Sequence, residues 1–184
     1  MATRLRFSES VTAAVSPTAQ SYTHDNGVRR RLSRSDSSTL TTTAYAPDAA
    51  DHLVAGDAHI TQFVSDPMAN GTVFTSGNAL KMAMQFLESN NGNNLFLQLW
   101  VGVVSLDGTT ARGTIRSKVA HGTETPNSIT NRFLSTTLSS SYTTVNAGDR
   151  LVVEISHTGT PANTGGVQGH NFSIRRGNSG AGGD

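Results

Sequence analysis

The stretch from residue 94 to residue 108, NLFLQLWVGVVSLDG, is the sequence feature that most restricts the fold. Its apolar residues recur at every second position, at Leu95, Leu97, Leu99, Val101 and Val103. A period of two is typical of a long strand with one buried face. The Asp107-Gly108 pair at its end predicts a tight hairpin turn with positive φ angles. TTARGTIRSKV then returns as the partner strand, near a sheet edge.

The segment ALKMAMQFLES is open to two interpretations. Ala, Leu, Met and Lys are good helix formers, so a helix is the rival. The apolar side chains nevertheless alternate, at Leu80, Met82, Met84 and Phe86, and glycine and asparagine residues follow at strand-like spacing. This pattern favours a strand.

Further strands are predicted at RLRF, GVRRRL, STLTTTAYA, AHITQFVS, GTVFTS, NRFLSTTL, YTTVNA, GDRLVVEIS and HNFSIRR. The total of about ten strands indicates an all-β fold, a β-sandwich of jelly-roll type. We expect one domain over residues 1–176 and a flexible, glycine-rich tail, GNSGAGGD, over residues 177–184.

The run GDRLVVEIS carries two carboxylates, Asp149 and Glu154, which belong either to an active site or simply to a strand and its turn. Alternation assigns Leu151, Val153 and Ile155 to the core and places Arg150 and Glu154 on an outer face. Asp149 is then a turn residue. On this interpretation Val153→Asp should unfold the domain, and Glu154→Gln should be nearly silent.

Composition removes several classes of site. The 184 residues include no cysteine, which excludes disulfides and thiolate metal sites. A formal net charge of +1 gives no overall reason to expect nucleic acid or a membrane as partner. No segment has the apolar length of a signal peptide or a membrane span, so we expect neither.

Candidate catalytic and metal-binding groups are scattered. The six histidines are His24, His52, His59, His121, His157 and His170. The densest group of possible ligands is Asp48, Asp51, His52, Asp57 and His59, which an exposed polar loop explains better than a metal site. Asp107, Asn146 and Asp149 suit turns better than calcium. No serine elbow or phosphate loop occurs, so the sequence predicts a protein without enzymatic activity, metal or cofactor.

The sharpest charge cluster is RRRLSRS, from Arg29 to Ser35. Arginine suits protein interfaces because its planar fork pairs with carboxylates while its stem packs. The residues predicted to contact a partner are Arg4, Arg6, Arg29, Arg30, Arg31 and Arg34.

Several of these segments together resemble a family of tailed-bacteriophage virion proteins. The resemblance lies in the RLRF strand, Arg30-Arg31-Leu32, the FVSDP step, the long strand ending in Asp-Gly, TNRF and GDRLVVEIS, and it extends from Arg4 to about Ile174. It implies a non-enzymatic structural protein of a virion with a β-sandwich fold.

Within that class, we expect a capsid decoration or cement protein on the outside of the head, assembled as a homo-oligomer on the major capsid protein or another virion protein. A tail, neck or fibre component is the first alternative. A carbohydrate-binding module using exposed aromatics such as Trp100, Tyr142 or Tyr45 is the second. A Trp100 packed in the interior would count against it.

Overall fold

The structure is a computed structural model that describes residues 5–20, 22, 24–25, 28–33, 41–45, 57–88, 94–128, 130–142, 144–160 and 172–176. Regular structure within these ranges is entirely β, with no helix, which confirms the all-β prediction. The strands are β1 (Arg6–Thr12), β2 (His24–Asp25), β3 (Arg29–Ser33), β4 (Thr41–Tyr45), β5 (Ala58–Ser65), β6 (Ala79–Glu88), β7 (Asn94–Val104), β8 (Ala111–Ala120), β9 (Thr130–Thr137), β10 (Arg150–Thr160) and β11 (Phe172–Arg176). The predicted tail, residues 177–184, lies outside the described residues.

The strands form two sheets. The larger has the order β1-β3-β5-β10-β7-β8, with β2 also paired to β5, and the smaller has the order β4-β11-β6-β9. β2 and β3 run parallel to β5, and the other pairs are antiparallel. β8 lies at an edge of the larger sheet, as its polar sequence predicts.

One hydrophobic cluster joins the two sheets. The smaller sheet contributes Met82, Met84, Phe86 and Leu134, and the larger contributes Phe63, Leu97, Leu99, Val153 and Ile155, among others. We call the side of the larger sheet that faces this cluster the inner face and the opposite side the outer face. Burial of these apolar side chains supplies the main favourable free energy of the fold.

The alternation in β6 is confirmed as that of a strand. Met82, Met84 and Phe86 are buried, whereas Lys81, directly before Met82, is exposed. The turn between β7 and β8 is also confirmed, with one correction. Gly108 has a φ of 76°, but no described residue other than glycine has a positive φ, so Asp107 does not share that conformation. The Asp107 carboxylate instead accepts hydrogen bonds from the Ser105 hydroxyl and from Thr109.

The predicted strands GTVFTS and YTTVNA are wrong. Their regular β pairing is limited to an isolated bridge between Phe74 and Tyr142. Gly71 and Gly77 have φ values of 74° and 84°, a conformation that ends regular strand geometry on both sides of the bridge. The segments 66–78 and 138–149 still run side by side in an irregular antiparallel ladder.

The expectation that β7 and β10 each have one solvent-facing side is also wrong. In β7 only Asn94 is exposed, and every residue from Leu97 to Val104 is buried. In β10 Glu154 is 0% exposed and Arg150 is 8% exposed. Both faces of the larger sheet are therefore covered at its centre, and the chain that covers the outer face forms the candidate site.

Candidate functional site

The N-terminal strap, which we define as residues 13–20 together with Tyr22, covers the centre of the outer face. Its apolar part packs on a second hydrophobic cluster, which contains Ala13, Val64, Trp100, Val104 and Val152, with Val15 against it. The Ala13 N–H donates to the Arg29 carbonyl at 3.4 Å, and Arg29 Nε donates to the Pro17 carbonyl at 3.2 Å. The strap is thus attached both to the sheet surface and to β3.

Glu154 lies at the centre of the site and connects the strap to the sheet. Its Oε1 accepts hydrogen bonds from Gln62 Nε2 at 2.8 Å and from the Gln20 N–H at 3.2 Å. Its Oε2 accepts from the Tyr22 hydroxyl at 2.9 Å. Because Gln62 belongs to β5 while Gln20 and Tyr22 belong to the strap, one carboxylate joins three separate parts of the chain.

The ionisation of this cluster follows from its burial. Burial raises the pKa of Glu154, against the opposing effects of its hydrogen bonds from Gln62, Tyr22 and Gln20 and of the Arg29 charge. Burial likewise raises the pKa of Tyr22, and the nearby Glu154 charge adds to this. Tyr22 therefore remains protonated and is a permanent hydrogen-bond donor to the carboxylate.

A row of polar side chains continues from Glu154 along the outer face. The Ser156 hydroxyl donates to Gln98 Oε1 at 2.8 Å, and both residues are buried. The rings of Tyr22 and His59 lie 5.1 Å apart between centroids. These groups extend the polar contact from β10 to its neighbours β7 and β5.

Lys118, on the edge strand β8, lies at the end of this row of polar side chains. Its Nζ lies 3.8 Å from the centroid of the Tyr22 ring and 3.2 Å from Asp57 Oδ2. Burial alone would raise the pKa of Asp57, but hydrogen bonds with Thr158 and Lys118 outweigh it and lower that pKa. Lys118 is thus held by an aromatic face and a carboxylate together.

A cavity of about 210 Å³ lies between the strap and the sheet. Its lining includes Thr18, Gln20, Gln62, Trp100, Thr109 and Glu154. Trp100 reaches it because Gly102, two residues along β7 on the same face, has no side chain, and a Cβ there would overlap the indole ring. A second, more open groove is bounded by Trp100 together with Gln20, Thr114, Ser117 and Lys118.

The arginines predicted to form an interface are separated by the structure. Arg29 and Arg31 pair in register with Gln62 and Val64 and lie on the outer face, whereas Arg30 pairs with Phe63 on the inner side. Arg31 forms two hydrogen bonds to Asp66, at 3.0 and 2.8 Å. The Arg31 bonds lower the pKa of Asp66. Arg4 and Arg34 lie outside the described residues, and nothing is described of the Arg6 side chain.

Other candidate residues are accounted for locally. His59 and His157 are buried, and His121 Nδ1 contacts the Thr123 backbone. Asp149 accepts from the Asn146 N–H at 2.9 Å, as expected of a turn residue. Asp48, Asp51, His52 and His170 lie outside the described residues, as does the His24 side chain. In the part of the chain that is described, no group of three or more histidine, aspartate and glutamate residues could hold a metal ion.

Sequence reasoning missed the cluster of Glu154, Gln62 and Tyr22. Each hydrogen bond from the strap to Glu154 joins residues more than 130 positions apart, a separation that local periodicity does not detect. The available signal was weaker: Glu154 interrupts the apolar run from Leu151 to Ile155, and a polar residue at such a position is typical of a buried, hydrogen-bonded group.

Comparison with known proteins gives distant structural neighbours only. No family model matches the chain, and no curated protein matches it. A CocE/NonD family hydrolase from Staphylococcus aureus aligns at 13% identity with a TM-score of 0.46, covering 80% of this chain and 32% of the hydrolase. The structure of infectious bursal disease virus Gx strain aligns at 15% identity with a TM-score of 0.26, covering 78% of this chain and 32% of that chain.

The VP2 subviral particle of infectious bursal disease virus aligns at 12% identity with a TM-score of 0.24, covering 78% of this chain and 34% of that one. The chain thus spans about a third of the length of each of these neighbours. At such identities and TM-scores they assign no function. Within the described residues, no helix is long and apolar enough to cross a membrane.

Proposed function

We propose that the two sheets form a β-sandwich of jelly-roll type. Support comes from nested antiparallel pairing: β4 pairs with β11, β5 with β10, β6 with β9, and β7 with β8. Successive pairs alternate between the smaller and the larger sheet. The chain from β4 to β11 is therefore one long hairpin, closed by the turn at Gly108 and wound across two sheets, as in a jelly roll.

The crossing between sheets supports the same proposal. The segment that connects β5 to β6 runs beside the segment that connects β9 to β10. The Met68 N–H donates to the Asp149 carbonyl at 2.8 Å, and the Phe74 N–H donates to the Tyr142 carbonyl at 2.9 Å. Ala79 pairs with Thr137 and Val64 with Val152, so both crossing segments have the same length. The two crossing segments therefore remain hydrogen-bonded to each other as they pass from one sheet to the other.

We further propose that this chain is a non-enzymatic structural protein of a phage virion, bound outside the head as a decoration protein. The observation that carries this is the role of Glu154: the best placed carboxylate for chemistry is fully buried and bound by three donors that attach the strap. A carboxylate whose hydrogen bonds attach the strap to the sheet stabilises the fold. Jelly rolls are common among viral capsid domains. The resemblance to phage virion proteins supports a phage virion as the particle to which this protein binds.

The attachment would work by adhesion. A rigid protein repeated over a symmetric lattice can bind through many modest interfaces whose effects add. Its partner would be the major capsid protein or another virion protein. Of the predicted arginines, Arg31 is the best described candidate for contact, because its side chain is 37% exposed and its partner Asp66 is 55% exposed.

A tail, neck or fibre location remains the alternative within the same class, since the same adhesion would serve there. The sugar-binding alternative loses its main residue, because Trp100 is 5% exposed and packs beneath the strap. A stacking platform for a sugar needs an accessible ring face.

The test is occupancy on particles. Virions that lack the protein would be incubated with purified wild-type protein, and bound copies would be counted by quantitative mass spectrometry and located by cryo-electron microscopy. We expect saturable binding at symmetric positions on the head. Density on the tail or neck would favour the alternative location, and no particle binding together with reproducible turnover on a glycan or peptide panel would overturn the proposal.

The role of Arg31 is tested by Arg31→Glu. Arg29 is a poorer choice because it also binds the strap at Pro17. The matched control is the double variant Arg31→Glu, Asp66→Arg, which retains an ion pair with its charges exchanged. If Arg31 contacts the partner, both variants lose occupancy while remaining folded. Full occupancy in Arg31→Glu would place the attachment surface elsewhere.

A further inference from the structure

The cavity beneath the strap has an unusual balance of hydrogen-bonding groups. Gln62 is 0% exposed and lines it. Its amide nitrogen donates to Glu154 Oε1 at 2.8 Å, which leaves the amide oxygen as the free end of the group. That oxygen is buried and has no hydrogen-bond partner among the described residues. A buried acceptor without a donor is unfavourable, so a donor supplied by a ligand would be favourable.

Both oxygens of Glu154 accept hydrogen bonds, as those of an ionised carboxylate do, so this residue adds negative charge to the same wall. Its hydrogen-bond donors among the described residues, Gln62, Tyr22 and Gln20, are all uncharged, and the Gln20 N–H is shared between the two carboxylate oxygens at 3.2 and 3.3 Å. Arg29 acts on it electrostatically, but none of the described residues that line the cavity is basic. The wall therefore offers acceptors and a partly compensated negative charge.

The remaining walls suit an alkyl chain and a cation. Trp100 contributes an aromatic ring, and Val104 and Val152 contribute aliphatic surface. An aromatic ring together with a carboxylate is a favourable environment for ammonium and guanidinium groups. At about 210 Å³ the cavity exceeds the space of a single water and accommodates a short chain of non-hydrogen atoms.

We propose that this cavity is a binding site for an alkyl cation, an ammonium or guanidinium group on a short aliphatic chain, which donates to Gln62 Oε1 and pairs with Glu154. The cation could be a free amine or the end of a lysine or arginine side chain of another protein. The proposal depends on side chains of the outer face and is independent of any role in a virion.

The sequence provides a direct probe, because Trp100 is the single tryptophan of the chain. Its fluorescence and its one indole N–H resonance in a ¹H–¹⁵N spectrum report on the cavity and on the groove beside it, and the variants described below distinguish the two. The full chain would be titrated with n-butylammonium chloride and n-butylguanidinium chloride. 1-Butanol is the uncharged control, and sodium chloride controls for ionic strength.

For wild type we expect saturable shifts of the indole signal with both cations and an apparent Kd on the order of 1 mM, as befits so small a ligand. 1-Butanol and sodium chloride should give no saturable shift. A short peptide with one central lysine distinguishes the two sources: saturation by the peptide as well as by the amine indicates that a protein side chain can enter, and saturation by the amine alone indicates a free ligand.

Two variants test the named groups, and both largely keep side-chain volume. Glu154→Gln removes the charge and Gln62→Met removes the free amide oxygen, so each should weaken cation binding by about tenfold or more. Ser117→Ala, in the neighbouring groove, is the matched control and should bind as wild type does. Circular dichroism verifies that each variant is folded.

Several results would overturn the proposal. An equal response to 1-butanol and to the cations would mean that the cavity binds short alkyl chains without recognising the positive charge. No response to either cation would mean that the cavity holds water only. Unchanged affinity in both Glu154→Gln and Gln62→Met would show that the cation does not bind to these two side chains. Should either variant fail to fold, the comparison of butylammonium with 1-butanol on wild type still decides.

Discussion

The two faces of β10 are both buried, but by different means. On the inner face Leu151, Val153 and Ile155 belong to the hydrophobic cluster that joins the two sheets. On the outer face Glu154 and Ser156 are 0% exposed and make hydrogen bonds to side chains of the strap and of the neighbouring strands. The inner face is stabilised mainly by apolar contact, whereas the outer face combines hydrogen-bonded polar groups with the second hydrophobic cluster, to which Val152 belongs.

The difference shows what an alternating sequence does and does not specify. Alternation of apolar and polar residues indicates which side chains share a face. It does not indicate that the polar face meets water, because a polar face with complementary donors can be covered by another part of the chain. The consequences differ for substitutions on each face.

The largest effect is expected on the inner face. Val153→Asp would place an unpaired carboxylate in the apolar cluster, and we expect loss of more than about 4 kcal/mol in the free energy of unfolding, enough to prevent folding. Chemical denaturation followed by circular dichroism measures it. Thr114→Asp, at an exposed position of β8, is the control and should change stability little. Equal behaviour of the two would mean that the faces are assigned wrongly.

On the outer face, Glu154→Ala should cost about 2–4 kcal/mol, because it leaves the donors of Gln62, Tyr22 and Gln20 without their acceptor. Glu154→Gln should cost about 1 kcal/mol, which revises the expectation from sequence that it is nearly silent. Thermal and urea unfolding measure both. A loss below about 0.5 kcal/mol in Glu154→Ala would show that the strap is held without this residue.

The packing under the strap is tested at Gly102. A Cβ at this position would overlap the Trp100 ring and lie 2.9 Å from the Gly113 carbonyl oxygen. Gly102→Ala should therefore cost about 1–3 kcal/mol and shift the tryptophan emission to longer wavelength as the ring moves. Gly122→Ala is the matched control, since a Cβ there has no atom within 4 Å. Unchanged emission in Gly102→Ala would contradict the placement of Trp100.

The smallest effect concerns a carboxylate that lacks the partners of Glu154. Glu88 is 2% exposed, follows Phe86 on the same side of β6, and its Oε2 has no hydrogen-bond partner among the described residues. Burial, with a smaller effect from the Glu124 charge, raises the pKa of Glu88 to about 7. The folded protein therefore holds this proton more tightly than the unfolded chain does.

Because the folded pKa is raised, the contribution of Glu88 to stability is present below its usual pKa of about 4.5 and is lost as the pH rises to about 7. We expect Glu88→Gln to remove that loss and to gain roughly 1–2 kcal/mol over wild type at pH 8, with little difference at pH 4. Urea unfolding across this range measures it. Glu124→Gln should show a smaller change of the same sign, and a pH-independent effect of Glu88→Gln would contradict the assignment.

The fold was predictable from sequence where the signal is local. The alternation in β6, β7 and β10 and the Gly108 turn depend on residues within one strand or turn, and the structure confirms them. The strap contacts depend on residues far apart in sequence, so local periodicity could not place Tyr22 against Glu154. The separation of Arg30 from its neighbours follows from strand alternation, but the pairing of Arg31 with Asp66 required the tertiary fold.

The nested pairing has a consequence for folding kinetics. A chain synthesised from its N terminus completes β4, β5 and β6 before their partners β11, β10 and β9 exist, since all three partners follow the turn at Gly108. Such non-local pairing gives a high contact order, for which folding times of roughly milliseconds to seconds are typical. Of the nested pairs, β7 with β8 can form first, and until the others follow, unpaired strand edges are open to other copies of the chain.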